Sequence, residues 1–170
     1  MATKNLSIKQ KLPSAIGMRF GIVVSEWNGD ITEALRDGAV RVLTHAGCNI
    51  GDIVAKRVPG AFELPLGVQF IAEYTDVDAI IALGCVIRGE TPHFDYICQG
   101  ATQGITQLAL SWNIPVAFGL LTTDNMQQAL ERAGGRLGNK GEEAAATAIS
   151  MVALQIEMEE FSDKPEMTVN

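Results

Sequence analysis

The sequence predicts a three-layer α/β/α sandwich built on a four-stranded parallel sheet. Four apolar runs alternate along the chain with segments that have helical periodicity. The runs at 20–25 and 79–87 contain no charged residue, which is typical of strands buried on both faces of a parallel sheet. Strands that alternate with helices are joined by right-handed crossovers, so helices should cover both faces.

A single domain is expected, because no polar or low-complexity tract divides the 170 residues. We expect this domain at 13–161, between a flexible polar arm at 1–12 and an acidic tail at 162–170. The net charge of −7, without a cluster of Lys and Arg, argues against nucleic-acid partners. The three cysteines lack the spacing of a redox pair or a metal site. With neither a leader pattern nor a membrane-spanning run, the chain is expected to be cytoplasmic and not to bind a membrane.

The first half of the domain predicts two strands, each followed by a helix. After the strand at 20–25, Asp30 and Glu33 have the spacing of a capping box. Apolar residues then recur every three or four positions, which predicts a helix that ends at Gly47. A short strand is expected at 52–58 and a second helix at 62–74.

The second half begins with the central strand at 79–87. A helix at 94–112 should follow it, and then a fourth strand at 116–121. Residues 122–124 would cap a helix that continues through Arg132. Glycines at 134, 135 and 138 end that helix, and a last helix is expected at 139–161.

Four loops leave the carboxyl ends of the predicted strands, where open α/β sheets bind their ligands. They are 27–28, 60–63, 88–93 and 118–123. In the third loop, Gly89, Glu90 and Thr91 precede a helix, whose free N–H groups suit a phosphate. His93 beside them could donate a proton, although a surface histidine at a helix end fits the spacing equally well.

A second polar group lies further along the chain. Lys140 and Glu143 are three positions apart and share a helix face, for which ordinary surface charge is the first explanation. The glycine-rich run between Arg132 and Lys140 favours a function, because ordering glycines costs conformational entropy. Trp27 and Phe62 are aromatic residues in loops, where they could stack on a flat ligand or cover the core.

Five strings resemble the 6,7-dimethyl-8-ribityllumazine synthase family of riboflavin biosynthesis. They are GIVVSEWN, VPGAFELP, ALGCVIRGETPHFDYIC, IPVAFGLLTT and ERAGGRLGNKG, within residues 20–158. The resemblance implies a flavodoxin-like transferase that condenses 5-amino-6-(D-ribitylamino)uracil with 3,4-dihydroxy-2-butanone 4-phosphate. The amine would attack the ketone to form an imine, phosphate would leave, and ring closure would give the lumazine, with release of phosphate and water. Proton transfer and positioning suffice for these steps, so no cofactor is implied.

The resemblance also implies a role for individual residues. Around the pyrimidine and the ribityl chain it places Trp27, Asn28, Ala61, Phe62, Glu63, Val86, Ile87 and Phe118. Around the phosphate it places Gly89, Glu90, Thr91 and Arg132, and for proton transfer it implies His93, Lys140 and Glu143. Phe118, Arg132 and Lys140 would reach the site from a neighbouring subunit. Glu143 would pair with His93 or Lys140.

Two positions depart from the common pattern of the family. Glu90 puts an acid in the phosphate loop, so we expect its side chain to turn away and the backbone to bind the anion. Trp27 stands where many members have Phe, and its wider surface predicts that riboflavin binds there.

The resemblance further implies a homopentamer. The glycine-rich run has no insertion, which favours a sixty-subunit icosahedral shell of twelve pentamers. The amino-terminal arm would add a strand to a neighbouring subunit. The alternative function is a non-catalytic flavin-binding or shell-forming protein on the same fold.

Overall fold

A computed structural model describes residues 12–162 of the chain. The arm predicted at 1–12 and the tail predicted at 162–170 therefore fall almost entirely outside the described residues. The expectation that the arm adds a strand to a neighbour stays a prediction. Within the described part, every helix is too short or too polar to cross a bilayer.

The main sheet has four parallel strands in the order β2-β1-β3-β4. Its strands are β1 (Phe20–Ser25), β2 (Ile53–Val58), β3 (Ala79–Ile87) and β4 (Val116–Thr123). The two uncharged runs form the central strands, and β1 is buried along its whole length. The predicted four-stranded parallel sheet is therefore confirmed. The uncharged strands lie at its centre because such strands are stable only where helices cover both faces.

Helices cover the sheet in two layers with separate cores. One layer contains α1 (Gly29–His45), α4 (Met126–Arg132) and α5 (Lys140–Ser162), and the other contains α2 (Leu64–Tyr74) and α3 (His93–Trp112). Alternate residues of β1 show the division, since Ile22 and Val24 pack in the first core and Val23 packs in the second. The three-layer sandwich is therefore confirmed.

The capping box predicted at Asp30 and Glu33 is wrong. The helix α1 begins at Gly29, directly after Asn28, which adopts a left-handed conformation (φ 59°, ψ 47°), and no side chain caps the helix. Glu33 lies inside the helix and forms ion pairs with Arg36 and Arg57. A capping box needs the acid at the third helical position and a free Ncap side chain, and the early turn at Asn28 removes both conditions.

The cap of α4 also differs from the prediction. Asn125, one residue after the predicted loop of 122–124, accepts a hydrogen bond from the Gln128 N–H at 2.9 Å. Thr122 and Thr123 remain in β4, which extends two residues beyond the predicted end at 121.

A small antiparallel hairpin replaces the simple break that the glycines of 133–139 predicted. It pairs β5 (Ala133–Gly135) with β6 (Gly138–Asn139) and leads directly into α5. Asn139, only 6% exposed, caps α5 because its Oδ1 accepts from the N–H groups of Gly141 and Glu142. Its Nδ2 donates to the Ala34 carbonyl oxygen at 2.8 Å and so joins α5 to α1.

Candidate functional site

The central strand β3 reaches further than its neighbour β1, and this leaves part of its backbone open. The pairing of β1 with β3 ends at Val24 and Leu83, whereas β3 continues to Ile87. Beyond that point the Asn28 side chain substitutes for a strand, since its Nδ2 donates to the Cys85 carbonyl oxygen at 3.0 Å. The Arg88 N–H donates to Thr123 on β4, so the backbone of Ile87 faces the other way, towards the end of β1.

Trp27 stands at this open end with its ring largely accessible. Its backbone N–H donates to the Pro59 carbonyl oxygen at 3.2 Å, which ties the loop after β1 to the loop after β2. The ring lies against Gly60, where a Cβ atom would come within 2.7 Å of it. Because 65% of the residue remains exposed, the indole can still stack on a ligand.

The segment Ala61–Glu63 forms a short 3₁₀ helix before α2. Glu63 turns back, and its Oε2 accepts a hydrogen bond from the Gly60 N–H at 3.0 Å. Phe62 is 58% exposed and lies over the first half of α3, where a Cβ atom at Gly100 would be 3.2 Å from the ring. Ala61 is buried in the core between the sheet and α2 and α3. The three residues therefore present an aromatic ring and one free carboxylate oxygen at the carboxyl edge of the sheet.

The loop of Gly89, Glu90 and Thr91 is exposed and joins β3 to α3. Among residues 12–162, the backbone N–H groups of this loop have no hydrogen-bond acceptor. The helix begins at His93 after Pro92, without a side-chain cap. Free loop amides beside an uncapped helix N-terminus are the usual components of an anion site. His93 is exposed and adjoins them.

The second predicted group consists of Arg132, Lys140 and Glu143, which we call the helix group. Lys140 Nζ and Glu143 Oε2 are 2.5 Å apart in the first turn of α5, so the shared helix face that their spacing predicted is present. Arg132 closes α4 and donates from Nη1 to the Gln128 carbonyl oxygen at 2.9 Å. All three side chains are partly exposed.

The helix group is separate from the residues that surround Trp27 and His93, which we call the loop group. The helix group belongs to α4 and α5, in the layer of α1, whereas Phe62 packs on α3 in the opposite layer. In the part of the chain that the structure describes, no direct hydrogen bond or ion pair joins a residue of one group to a residue of the other, and Glu143 pairs with Lys140 rather than with His93. Phe118 lies apart from both, 45% exposed on the edge strand β4.

The comparisons with known proteins agree with one another. The family model of 6,7-dimethyl-8-ribityllumazine synthase matches residues 17–155. A relative of that name from Parabacteroides distasonis is 60% identical over 141 residues, which cover 83% of this chain and 88% of the relative. One from Bacteroides fragilis is 58% identical (79% and 94% covered), and one from Cytophaga hutchinsonii is 54% identical (91% and 98% covered).

This chain belongs to the 6,7-dimethyl-8-ribityllumazine synthase family. Membership confirms the predicted enzyme class, a transferase, and the predicted condensation in riboflavin biosynthesis. It supports the catalytic function and not the non-catalytic alternative. Lumazine synthases act on small molecules and assemble as oligomers, so the predictions of small-molecule substrates and of an oligomeric assembly are confirmed.

Sequence reasoning gave no role to Arg88, which the structure places at the base of the loop at 89–91. We call this loop, which is predicted to bind phosphate, the phosphate loop. The Arg88 guanidinium pairs with Asp95 in the first turn of α3 at 3.1 Å and with Asp124 in the loop after β4 at 3.4 Å. It also lies 4.1 Å from the centre of the Phe94 ring. The hydrogen bond that Arg88 donates to Asp95 is the main reason why the pKa of Arg88 is raised. No local spacing in the sequence predicts this contact, because Arg88 follows a strand and Asp95 lies in the next helix.

Two of the three cysteines of this family member, Cys48 and Cys85, lie in the core, and Cys98 is partly buried. Burial raises the pKa of the Cys85 thiol to about 11, and it raises the pKa of Cys48 and Cys98 as well. At neutral pH these thiols are therefore protonated and poorly nucleophilic. Among residues 12–162 no cluster of three or more His, Cys, Asp or Glu side chains could hold a metal.

A cavity of about 300 Å³ lies at the other end of the sheet, away from the predicted site. Its walls include Met18 and Asp78, which precede β1 and β3, and Val152 and Ile156 of α5. None of the predicted site residues lines it, so it offers no alternative location for the lumazine synthase reaction.

Proposed function

We propose that the loop group and the helix group of adjacent subunits form the active site for the condensation of 5-amino-6-(D-ribitylamino)uracil with 3,4-dihydroxy-2-butanone 4-phosphate. The observation that carries this proposal is that the N–H groups of 89–91 have no acceptor among the described residues and adjoin His93 and the open backbone of Ile87. A phosphate and a heterocycle can therefore be held side by side. Both reactants would then be oriented for attack of the amine on the ketone.

The pyrimidine would lie at the open end of β3. The backbone at Val86 and Ile87 would meet its edge, with the open N–H and C=O groups of Ile87 forming the hydrogen bonds, and the Trp27 ring would stack on its face. Asn28 would lie beside the ring, where its hydrogen bond to Cys85 holds the turn after β1 in place. The large exposed fraction of Trp27 supports this arrangement.

The ribityl chain would extend along Ala61, Phe62 and Glu63. The Glu63 Oε2 atom holds the Gly60 N–H. The other carboxylate oxygen would accept hydrogen bonds from ribityl hydroxyl groups. Phe118 would close the channel from a neighbouring subunit, which its exposure on the edge strand β4 supports.

The phosphate would be bound by the N–H groups of Gly89, Glu90 and Thr91 at the start of α3. The Glu90 side chain is exposed, which supports a role for its backbone alone. Arg132 of a neighbouring subunit would supply the positive charge, because its own chain gives it only the Gln128 carbonyl oxygen as a hydrogen-bond partner among the described residues.

His93 would transfer the protons that imine formation, phosphate loss and ring closure require. Lys140 would lie beside the pyrimidine, and Glu143 would orient Lys140 through the ion pair at 2.5 Å. These groups and correct positioning account for the chemistry without a cofactor or a metal.

Assembly as a homopentamer would bring the loop group of one subunit to the helix group of the next. Twelve such pentamers would form a sixty-subunit icosahedral shell. Their separation within one chain supports an active site between subunits. The mass of the particle by light scattering tests the shell. A mass of about sixty chains is expected, and a mass of about five would refute the shell and leave the pentamer. We place the enzyme in the cytoplasm, because unpaired cysteines are typical of a reducing compartment.

The activity is tested by following lumazine absorbance when the purified protein meets both substrates, against a buffer blank for the uncatalysed reaction. We expect the wild type to exceed the blank. Arg132→Ala should mainly raise the KM for the phosphate substrate, and His93→Ala should mainly lower kcat. A wild-type rate that only equals the blank would refute the proposal.

Riboflavin binding at Trp27 is a separate proposal. The flat flavin would stack on the exposed indole and quench its fluorescence. Titration of Trp27→Phe, which keeps only Trp112, is the matched control. The proposal fails if riboflavin quenches the wild type no more than it quenches this variant.

A further inference from the structure

One side chain joins the two ends of the phosphate loop. Arg88 follows the last residue of β3, and its guanidinium crosses the loop to the first turn of α3. Two of its nitrogens donate to the Asp95 carboxylate, Nη2 at 3.1 Å and Nη1 at 3.4 Å. The guanidinium also covers the Phe94 ring at 4.1 Å, which adds a cation–π contact. The strand end and the helix start are therefore joined across the loop.

The same guanidinium reaches a third segment. Arg88 Nε lies 3.4 Å from Asp124 Oδ1, in the loop between β4 and α4. Asp124 is itself held by Gln128, whose Oε1 accepts from the Asp124 N–H at 3.0 Å. The Gln128 carbonyl oxygen accepts from Arg132. A continuous series of contacts thus runs from the phosphate loop to the arginine at the end of α4.

Arg88 is unsuited to be a direct ligand of the phosphate. Its donors are already directed at Asp95 and Asp124, whose two negative charges outweigh its single positive charge locally. To bind an anion it would have to leave both partners and the Phe94 ring. The open N–H groups of 89–91, in contrast, have no partner to lose among the described residues.

The loop has few other supports. Its N–H groups make no intramolecular hydrogen bonds within 12–162, its residues are exposed, and a Cβ atom at Gly89 would contact nothing within 4 Å. We propose that Arg88 is a positioning residue, which fixes the phosphate loop and His93 through Asp95 and Phe94. This inference rests on the proposed phosphate-binding role of the loop.

The contribution of Arg88 should appear in catalysis and hardly in stability. Its ion pairs are exposed, with 44% of the Arg88 side chain and 60% of the Asp95 side chain accessible. Exposed pairs contribute little to the free energy of unfolding, because water screens their attraction. A loop that shifts by about 1 Å, however, can lower the rate about 100-fold.

The experiment compares Arg88→Gln, Asp95→Asn and the double variant with the wild type. We measure kcat, the KM for the butanone phosphate and the inhibition constant of inorganic phosphate. Each single variant should raise the KM and the inhibition constant about tenfold, because both remove the same support. The double variant should be no worse than either single variant. Arg88→Lys should recover part of the loss, since a lysine keeps the charge but not the two-pronged contact.

The direction of the Asp95→Asn effect separates positioning from direct binding. If Arg88 were a phosphate ligand, removal of the competing carboxylate would free it and tighten phosphate binding. That result, or additive effects in the double variant, would overturn the proposal. Arg36→Gln is the matched control, because Arg36 also pairs with two acids, Glu33 and Asp37, on α1. It should leave all three constants unchanged.

Hydrogen exchange, measured without substrate, tests the positioning role of Arg88 independently of the proposed enzyme activity. Hydrogen exchange of peptides that cover 88–95 should become faster in Arg88→Gln and stay unchanged in Arg36→Gln, at equal Tm. Unchanged exchange in Arg88→Gln would overturn the positioning role even if the enzyme is active. Faster exchange with unaltered kinetic constants would overturn it as well. A wild type that only equals the blank would refute the proposed function, while the exchange result would still decide the role of Arg88.

Discussion

The loop group and the start of α5 are held in place in different ways. Around the loop group the contacts are single hydrogen bonds or ion pairs that are partly buried or exposed: Asn28 donates to Cys85, Gly60 donates to Glu63, and Arg88 pairs with Asp95 across the phosphate loop. At the start of α5, Asn139 is buried with three hydrogen bonds, and α5 packs directly on the backbone of α1.

This difference separates two consequences of mutation. A residue in a packed junction cannot change without displacing its neighbours, so its substitution changes the free energy of unfolding. A residue in an open loop can change at little cost in stability and still displace a substrate. We therefore expect mutations near Lys140 to act on folding first, and mutations in the phosphate loop to act on catalysis first.

The largest effect is expected from Gly141→Ala. An added Cβ atom would overlap the Leu35 carbonyl oxygen of α1, and neither backbone can move without separating the helices. We expect a loss of roughly 3 kcal/mol or more in the free energy of unfolding. Gly89→Ala is the matched control, because nothing lies within 4 Å of its added methyl group. Urea unfolding at equal protein concentration measures both, and equal losses would contradict the comparison.

Asn139→Ala should have the next largest effect. It leaves the N–H groups of Gly141 and Glu142 and the carbonyl oxygen of Ala34 without their partner in a buried place. We expect a cost of about 2–3 kcal/mol. Asn125→Ala removes the exposed cap of α4 and should cost about 1 kcal/mol. Equal losses of stability for the two variants in thermal unfolding would show that burial does not determine the cost of removing a helix cap.

Substitution of Asn28 measures how much one contact of the loop group contributes to stability. Alanine at this position loses the hydrogen bond to Cys85 and must adopt a left-handed conformation, so we expect a loss of about 1–2 kcal/mol. Asn28→Gly loses the hydrogen bond but accepts the conformation and should cost less. Both variants should raise the KM for the pyrimidine substrate. A glycine variant less stable than the alanine variant would show that backbone conformation is not the limiting factor.

The smallest effect is a pH dependence that arises from Cys85. Burial raises the pKa of its thiol from 9.0 to about 11, so the folded state retains a proton that the unfolded state has lost. The contribution to stability is fully present below about pH 9 and is lost as the pH rises through about 11. Cys85→Ala should therefore lose stability less steeply than the wild type over this interval. Parallel stability curves would contradict the assignment.

The sheet and its helices could be predicted because their signals are local. The runs at 20–25 and 79–87 can only be buried strands, and helical spacing between them gives the two layers. The resemblance of the motifs gave the family. The residues of the loop group could be located because the carboxyl ends of parallel strands meet at one edge.

What escaped prediction depends on contacts between distant segments. The left-handed turn at Asn28 is stabilised by Cys85, 57 residues later, so the capping box that local spacing suggested never forms. Asn139 was correctly predicted at the start of the last helix, but its role as a buried cap depends on the contact with Ala34, 105 residues earlier. Arg88 likewise acquires a role only when α3 and the loop after β4 come together at its side chain.

The proposed active site joins, between subunits, two groups that one chain keeps apart. The most direct test mixes His93→Ala in the loop group with Arg132→Ala in the helix group, by unfolding and refolding the two variants together. The assay uses the butanone phosphate far below the KM of Arg132→Ala, where each variant alone is nearly inactive. Random assembly should restore about a quarter of the wild-type sites, because some interfaces then combine an intact loop group with an intact Arg132. Each variant refolded alone is the control. Recovery of lumazine formation to about that fraction is the predicted result, and a mixture no more active than the two separate variants would contradict the claim.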